Sequence, residues 1–217
     1  MKLKIHYMDR EILLCEKPSG TLSEGDSPTS IPRLLGDQLT EQGESGILFP
    51  VHRLDKETSG LLLLARTQRA AATLSRFIVE GQLQKEYVAA ICGIPAKPCE
   101  TWTDLLFYDR NRGKSFVVDR ERKGVKEATL SYRLLEENGE YSLVRVKLHT
   151  GRTHQIRVQF SSRGLPIVGD RRYGAPADAG REMRLHSAYL QFPHPSDGKI
   201  MEFYSEPQWM NPILKKS

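Results

Sequence analysis

The sequence predicts an α+β protein dominated by a mixed, largely antiparallel sheet with few helices. Three observations point there. Short apolar runs recur along the whole chain, each bounded by glycine, proline or small polar residues. An Asn138-Gly139 pair separates two of these runs, and Asn-Gly accepts the positive φ that a tight hairpin demands. Segments with helical spacing of apolar residues are scarce.

In chain order, residues 4–7 and 12–16 read as strands, the second ended by the turn Lys17-Pro18-Ser19-Gly20. Residues 20–30 are small and polar, a loop. Pro32 suits the first turn of a helix that runs to about Gln42, before Gly43 and Gly46 close it. Residues 61–65, Leu-Leu-Leu-Leu-Ala, make the best buried strand. Residues 68–80 take helical spacing, with Ala72, Leu74, Phe77 and Ile78 as apolar contacts and Gly81 as the stop. Strands follow at 85–91, 102–108, 115–118, 128–135 and 141–149, the last two joined through Asn138-Gly139. A helix capped by Thr153 starts after Gly151, and residues 183–192 and 199–204 are closing strands. No internal repeat interrupts this pattern. A chain of 217 residues suits a single domain spanning 1–217.

Composition narrows the classes. Hydrophobic residues at 39% and charged residues at 27% are ordinary for a globular protein and argue against wholesale disorder. The formal net charge of +5 favours an anionic partner such as nucleic acid without naming one. The longest aliphatic run, 61–65, falls far short of the ~20 residues of a membrane span. The first residues reach charged side chains at once, which is unlike a signal peptide. No membrane partner is expected, and the expected compartment is the cytoplasm. Cys15, Cys92 and Cys99 are an odd set without a CxxC pair, so reduced, buried thiols are expected rather than a disulfide framework or zinc knuckle.

The residues that carry chemistry concentrate in three stretches. The first, His52-Arg53-Leu54-Asp55-Lys56-Glu57-Thr58-Ser59-Gly60, places a carboxylate in a polar, glycine-bounded loop directly before the apolar strand. A rigid strand under a reactive loop is the arrangement that catalysis needs. Arg53 stands two residues before Asp55, on the same side of an extended backbone. The plainer alternative is a turn-capping aspartate with a surface ion pair. The second stretch follows Gly151, where Arg152, Arg157, Arg163, Arg171 and Arg172 face one acid, Asp170. It is either a cationic surface for an RNA backbone or a solvated helix face. The third, 109–126, has seven basic residues against three acids and reads as a mobile basic loop or hairpin, or as ordinary surface. Tyr87, on a strand, either packs in the core or stacks on a base.

Other chemistries fail on spacing. Gly113-Lys114-Ser115 imitates the end of a phosphate loop, but Tyr108 stands where the leading glycine belongs. GxGxxG and GxSxG are absent, and the six histidines show no HExxH spacing, so no metal site is expected.

The motif His52-Arg53-Leu54-Asp55-x-x-Thr58-Ser59-Gly60 is similar to the catalytic signature of the RluA-type pseudouridine synthases. Further segments follow in that family's order: Glu16-Lys17-Pro18-Ser19-Gly20, Lys85-Glu86-Tyr87-Val88-Ala89, Lys126-x-Ala128-Thr129, Thr150-Gly151-Arg152-Thr153-His154-Gln155-Ile156-Arg157, Pro166-Ile167-Val168-Gly169-Asp170-x-x-Tyr173-Gly174 and Leu185-His186. The likeness runs from about residue 5 to residue 207. It implies a mixed sheet with a central active-site cleft, and an isomerase that converts selected uridines of tRNA or large-subunit ribosomal RNA stem-loops to pseudouridine.

By position, the resemblance implies that Asp55 is the catalytic carboxylate, as nucleophile or ribose-deprotonating base. Arg53 matches the arginine that enters the RNA stack when the target base flips out, at an unstacking cost of a few kcal/mol. Tyr87 matches the aromatic that stacks on that base, and Arg157 the basic residue that pairs with the aspartate. His52, Lys126, Arg152 and His154 are expected to bind RNA. No metal, nucleotide or other small-molecule cofactor is expected, and the enzyme is expected to be a monomer. Two features depart from many relatives: Gln159 where they often carry histidine, and a chain that opens in the catalytic region without a separate N-terminal RNA-binding module of the S4 type. RsuA-type enzymes share the Arg-Leu-Asp core but usually lack the Thr-His-Gln-Ile-Arg run, so they come second. A silent RNA-binding or ribosome-assembly module of the same fold, and a hydrolase that cleaves the glycosidic bond, are the rival functions.

Overall fold

The computed structural model describes residues 2–210. The chain divides into two compact units. Among the described residues, the first takes 2–85 and again His186–Pro207; the second takes Glu86–Leu185 and 208–210.

In the first unit, β1 (Ile5–Met8) runs antiparallel to β2 (Ile12–Lys17), and β2 antiparallel to β4 (Ser59–Ala65). The two-residue β3 (Phe49–Pro50) pairs with the far end of β4. The start of β4 pairs in parallel with β10 (Leu185–Pro193), His186 opposite Ser59 and Ser187 opposite Gly60, and β11 (Ile200–Tyr204) closes antiparallel on β10. The apolar run expected at 61–65 is fully buried on both faces. Leu61, Leu63 and Ala65 pack with Ile12, Leu14, Leu190 and Phe192 and with Ala70 and Leu74 of α2 (Gln68–Val79). Burying such aliphatic side chains contributes about 1.5–3 kcal/mol each, so this cluster is what fixes the strand beneath the polar loop that precedes it.

Local chemistry explains the helices. The side chain of Thr67 caps α2 by accepting from the amide of Ala70 at 3.0 Å, and Gly81 ends it at φ 73°. Its inner stripe is Ala70, Leu74, Phe77 and Ile78; Ala72, expected among the contacts, is exposed, because it lies two residues off that stripe. Helix α1 (Ile31–Thr40) starts with Pro32 in its first turn and buries Ile31, Leu35 and Leu39.

The second unit orders its strands β5 (Gln84–Cys92), β9 (Tyr141–Leu148), β8 (Val125–Glu137), β6 (Cys99–Asp109), β7 (Lys114–Val118). The β6–β7, β6–β8 and β8–β9 pairs are antiparallel, and Asn138-Gly139 forms the expected hairpin, with Gly139 at φ 86°. The aromatic rings of Trp102, Tyr132 and Phe160 lie 4.6–5.6 Å apart and pack α3 (Gln155–Ser161) onto β6 and β8. Of the stretch 109–126, expected to be a mobile basic loop or hairpin or ordinary surface, residues 109–118 form a strand-paired hairpin, held where Asp109 Oδ1 accepts the amides of Asn111 and Arg112.

Two expectations need correction. Thr153 does not cap α3: His154 occupies the capping position in the left-handed region at φ 54°, and the helix begins at Gln155. The thiols are not all buried either. Cys15 is, and burial pushes it up to about 12, but Cys99 is exposed on the first residue of β6 and Cys92 is half-buried. Among the described residues no helix is long and apolar enough to cross a membrane.

Candidate functional site

Residues 51–58 lead into β4, and the chain between β2 and α1 holds them in place. The hydroxyl of Ser23 donates to the carbonyl of Leu54 at 2.8 Å and accepts its amide at 3.0 Å. The amide of Gly20 donates to the carbonyl of Lys56 at 2.8 Å, and Ser19 donates its hydroxyl to the carbonyl of Glu57 at 2.8 Å. The carbonyl of Asp55 itself accepts from Thr58 at 3.1 Å, closing a turn. Backbone on both sides of Asp55 is therefore fixed, while its side chain is half-buried. Such support from neighbouring polar groups is what pre-organises a reactive carboxylate.

His52 is turned inward. Its Nε2 accepts the amide of Leu63 at 3.0 Å, Nδ1 is buried without a partner, and burial lowers the imidazole to about 3, so the ring is neutral. Arg53 points outward and pairs with Glu24, Nη1 to Oε1 at 2.6 Å, both side chains at least half exposed. At the other end of the loop, Ser59 meets Nδ1 of His186 at 2.9 Å, and His186 Nε2 meets the Ser205 hydroxyl at 3.1 Å. Ser205 donates on to Glu16. Burial holds His186 down to about 4. This chain of hydrogen bonds ties the Thr-Ser-Gly segment to the Glu16 and Leu185-His186 segments that stand far away in sequence.

The other expected residues lie in the second unit. Tyr87 is buried on β5 at 5% exposure. Arg157 is buried on α3 and grips Asp170 through two bonds, Nε to Oδ2 at 2.7 Å and Nη2 to Oδ1 at 2.9 Å. Its guanidinium lies 5.0 Å from the ring centre of Tyr173. The Tyr173 hydroxyl accepts the amide of Ser115 and contacts His154 Nδ1 at 2.9 Å; burial raises it to about 12. Gln155 organises the preceding loop: its Oε1 accepts the Thr150 hydroxyl at 2.8 Å and the Arg152 amide at 2.9 Å, and its Nε2 donates to the carbonyl of Thr129 at 3.1 Å. Arg152 is exposed and donates to the carbonyl of Glu127; Lys126 is exposed one residue away.

The cationic face expected after Gly151 is thinner than the sequence suggests. Arg157 is buried and bonded to Asp170, and Arg163 forms a fork onto Asp104 at 2.9 and 3.1 Å while covering the Trp102 ring at 4.2 Å. Gln159, the departure noted in the sequence, is fully buried and donates to Asp104 and to the carbonyl of Ala128, so it serves packing of α3 on the sheet. Among the described residues no group of three or more His, Cys, Asp or Glu side chains is placed to hold a metal ion. Sequence reasoning missed Ser23, Gln155 and Asp170 as supports. All three act through tertiary contacts, although Gln155 and Asp170 sit inside quoted motifs.

Comparison with known proteins bears on this arrangement. A family model described as RNA pseudouridylate synthase matches residues 11–162. An uncharacterised RNA pseudouridine synthase of Bacillus subtilis is 32% identical over 210 residues, covering 94% of this chain and 68% of its own. The ribosomal large subunit pseudouridine synthase D of Zymomonas mobilis is 33% identical over 230 residues, covering 98% and 72%. Among solved structures, human RNA pseudouridylate synthase domain containing 1 superposes with a TM-score of 0.81 at 24% identity, over 98% of this chain and 86% of that one. At that identity the likeness speaks for the fold.

Proposed function

The chain belongs to the RNA pseudouridylate synthase family, and from that premise we propose that Asp55 is the carboxylate with which it isomerises specific uridines of structured RNA. The observation that carries the assignment is the loop itself: Ser23, Gly20 and Ser19 hold backbone on either side of Asp55 and leave its side chain half-buried at the head of β4.

The reaction breaks the bond between uracil N1 and ribose C1′, turns the detached ring and joins C5 to C1′; the proton on C5 is lost and N1 ends protonated. Asp55 acts either by attacking as a nucleophile or by taking a ribose proton. Arg53, exposed beside it, fills the space that the flipped base leaves. Tyr87 supplies a stacking surface, and Arg157 pairs with the reacting carboxylate. Lys126, Arg152 and His154 bind the RNA backbone and bases. His52 serves RNA binding through the loop it anchors, since its ring is bonded to the Leu63 amide. The reaction requires neither metal nor nucleotide cofactor.

Substrates in this reading are stem-loops of tRNA, of large-subunit ribosomal RNA, or both. Two relatives support the ribosomal class by name, the Zymomonas mobilis enzyme and the ribosomal large subunit pseudouridine synthase C of Salmonella typhimurium, 34% identical over 206 residues. The enzyme works as a monomer in the cytoplasm. Base-resolved mapping of pseudouridine in RNA from strains with and without the gene tests all of this. At least one site disappears in the deletion, returns with the wild-type gene and stays absent with Asp55→Asn, whose RNA affinity remains within about tenfold because phosphate contacts dominate binding. A deletion strain that loses no site identifies a silent binding module. Free uracil with abasic RNA identifies a hydrolase.

A further inference from the structure

The sheet of the second unit has two unlike faces. On one, Trp102 and Tyr132 are buried against Phe160 of α3. The residues that alternate with them along β6 and β8 point to the other face, which stays open. There Thr101 lies opposite Ser131, Thr103 opposite Thr129, and Lys147 of β9 opposite Ser131 in turn. Their side chains form two rows. In the longer, the Thr101 hydroxyl meets that of Ser131 at 2.8 Å, and Ser131 meets Nε2 of His149 at 2.7 Å. In the shorter, the Thr103 and Thr129 hydroxyls meet at 3.0 Å. Thr101, Thr103 and His149 are exposed, and hydroxyl pairs on an open face add little to a sheet. Cations border the rows. Arg133 is exposed two residues beyond Ser131, Lys147 is exposed across from it, and exposed Arg152 reaches the carbonyl of Glu127 at 2.8 Å. Of the acids nearby, Glu86 is paired with Arg145 at 3.4 Å.

The longer row has a definite hydrogen-bonding capacity. A serine hydroxyl carries one proton. With a neutral imidazole, Ser131 can donate to His149; Nδ1 then carries the ring proton, and Thr101 donates to Ser131 and keeps its lone pairs. In the reverse direction the ring donates from Nε2, Ser131 donates to Thr101, the Thr101 proton turns outward and Nδ1 accepts. Either way, one end of the row offers a donor and the other an acceptor. The ribose 2′-hydroxyl is both donor and acceptor, and it is the group by which a protein tells RNA from DNA. Alternate residues of a strand stand about 6.7 Å apart and neighbouring strands about 4.8 Å, so the rows present these groups on the scale of successive nucleotides.

We propose that the open face of β6, β8 and β9 reads ribose 2′-hydroxyls of the RNA substrate through the Thr101–Ser131–His149 row, while Arg133, Lys147 and Arg152 hold the adjoining phosphates. This rests on RNA being the substrate, and not on which carboxylate reacts. The cations supply attraction that is blind to the sugar, and the row between them selects ribose.

The test is fluorescence anisotropy with two labelled stem-loops of one uridine-containing sequence, RNA and its 2′-fluoro counterpart, which keeps the A-form shape but cannot donate from the sugar. Wild type binds the RNA probe at least fivefold more tightly than the 2′-fluoro probe. The double variant Ser131→Ala/His149→Leu loses fivefold or more on RNA, stays within twofold on the 2′-fluoro probe, and keeps the salt dependence of wild type. Arg133→Gln weakens both probes alike and lowers the salt slope by about one. Wild type without preference for the RNA probe overturns the proposal, as does a folded double variant that keeps the preference or loses equally on both probes. Should the double variant fail to fold by circular dichroism, Thr101→Val, at the exposed end of the row, decides by the same comparison. Pseudouridine mapping separates the readings. If Asp55→Asn still forms pseudouridine, the assignment of Asp55 fails and the sugar preference stands; if wild type binds neither probe, the RNA reading fails and this one with it.

Discussion

Arg157 and Asp170 form a two-pronged ion pair, at 2.7 and 2.9 Å, with each side chain under 5% exposed. A buried pair is weak evidence for stability on balance, but breaking one is costly because the remaining charge stays in a low-dielectric site. Asp170 holds the guanidinium of α3 in one orientation and sits one residue past Gly169, whose own backbone at φ 80° lies against Glu182. Asp170→Asn is expected to destabilise the protein by about 3–5 kcal/mol, read from urea unfolding followed by circular dichroism. Pseudouridine formation falls with it even where the protein remains folded. A change in the urea midpoint too small to resolve would show that Asp170 does not hold Arg157.

Gly60 lies between Lys17 on β2 and Ser187 on β10, at φ 108°. A Cβ there would stand 2.3 Å from the Ser187 carbonyl oxygen, so neither strand has room to give. Gly60→Ala therefore combines overpacking with positive-φ strain, and a loss of at least about 2 kcal/mol is expected from the two together. The damage lands five residues from Asp55, so turnover suffers as well as stability. Thermal melting checks the first part and pseudouridine mapping the second.

The pair Arg53–Glu24 leads to the opposite expectation. Glu24 occupies a guanidinium that the proposed mechanism sends into the RNA stack, and at the surface such a pair is weak. Glu24→Gln releases Arg53 and removes the negative charge beside it. RNA affinity should rise about two- to fivefold, measured by fluorescence anisotropy on a labelled stem-loop at low salt, and the gain should shrink as salt is added. Weaker binding by the variant would mean that Glu24 orients Arg53 for insertion.

How much of this was legible in the sequence depends on the range of the contact. Residues 61–65 read as a buried strand because five aliphatic side chains in a row have no other place to go, and Asn138-Gly139 read as a hairpin because the turn is made by those residues alone. The Asp55 loop was legible as a motif, but the reason it is rigid was not: Ser23 reaches it across 31 positions. Asp170 looked like a stray acid among arginines, since nothing local says that its partner is Arg157, 13 positions back. The start of α3 was misplaced for a similar reason. Thr153 is a good capping residue by type, yet its carbonyl is taken by Ser115, His154 adopts the left-handed conformation, and Gln155 bonds back over the loop. The two-residue β3 has no periodicity to read.

Acid sensitivity follows from the two buried imidazoles. His52 and His186 are lowered by burial to about 3 and about 4, against about 6.5 in an unfolded chain. As pH falls below 6.5 the unfolded chain takes up protons that the folded one still refuses, so folding loses stability. Their contribution is complete above about pH 6.5 and declines until the folded groups protonate, near 4 for His186 and 3 for His52. For His186 alone the shift corresponds to about 3 kcal/mol over that window. Urea midpoints at pH 7.5 and pH 5 measure it: wild type should weaken clearly on acidification. His186→Gln should be less stable at pH 7.5, having lost its bonds to Ser59 and Ser205, but should lose less on going to pH 5. An unchanged pH dependence in that variant would mean that His186 protonates in the folded protein as freely as in the unfolded one, and that the Ser59–His186–Ser205 link does not hold a neutral ring.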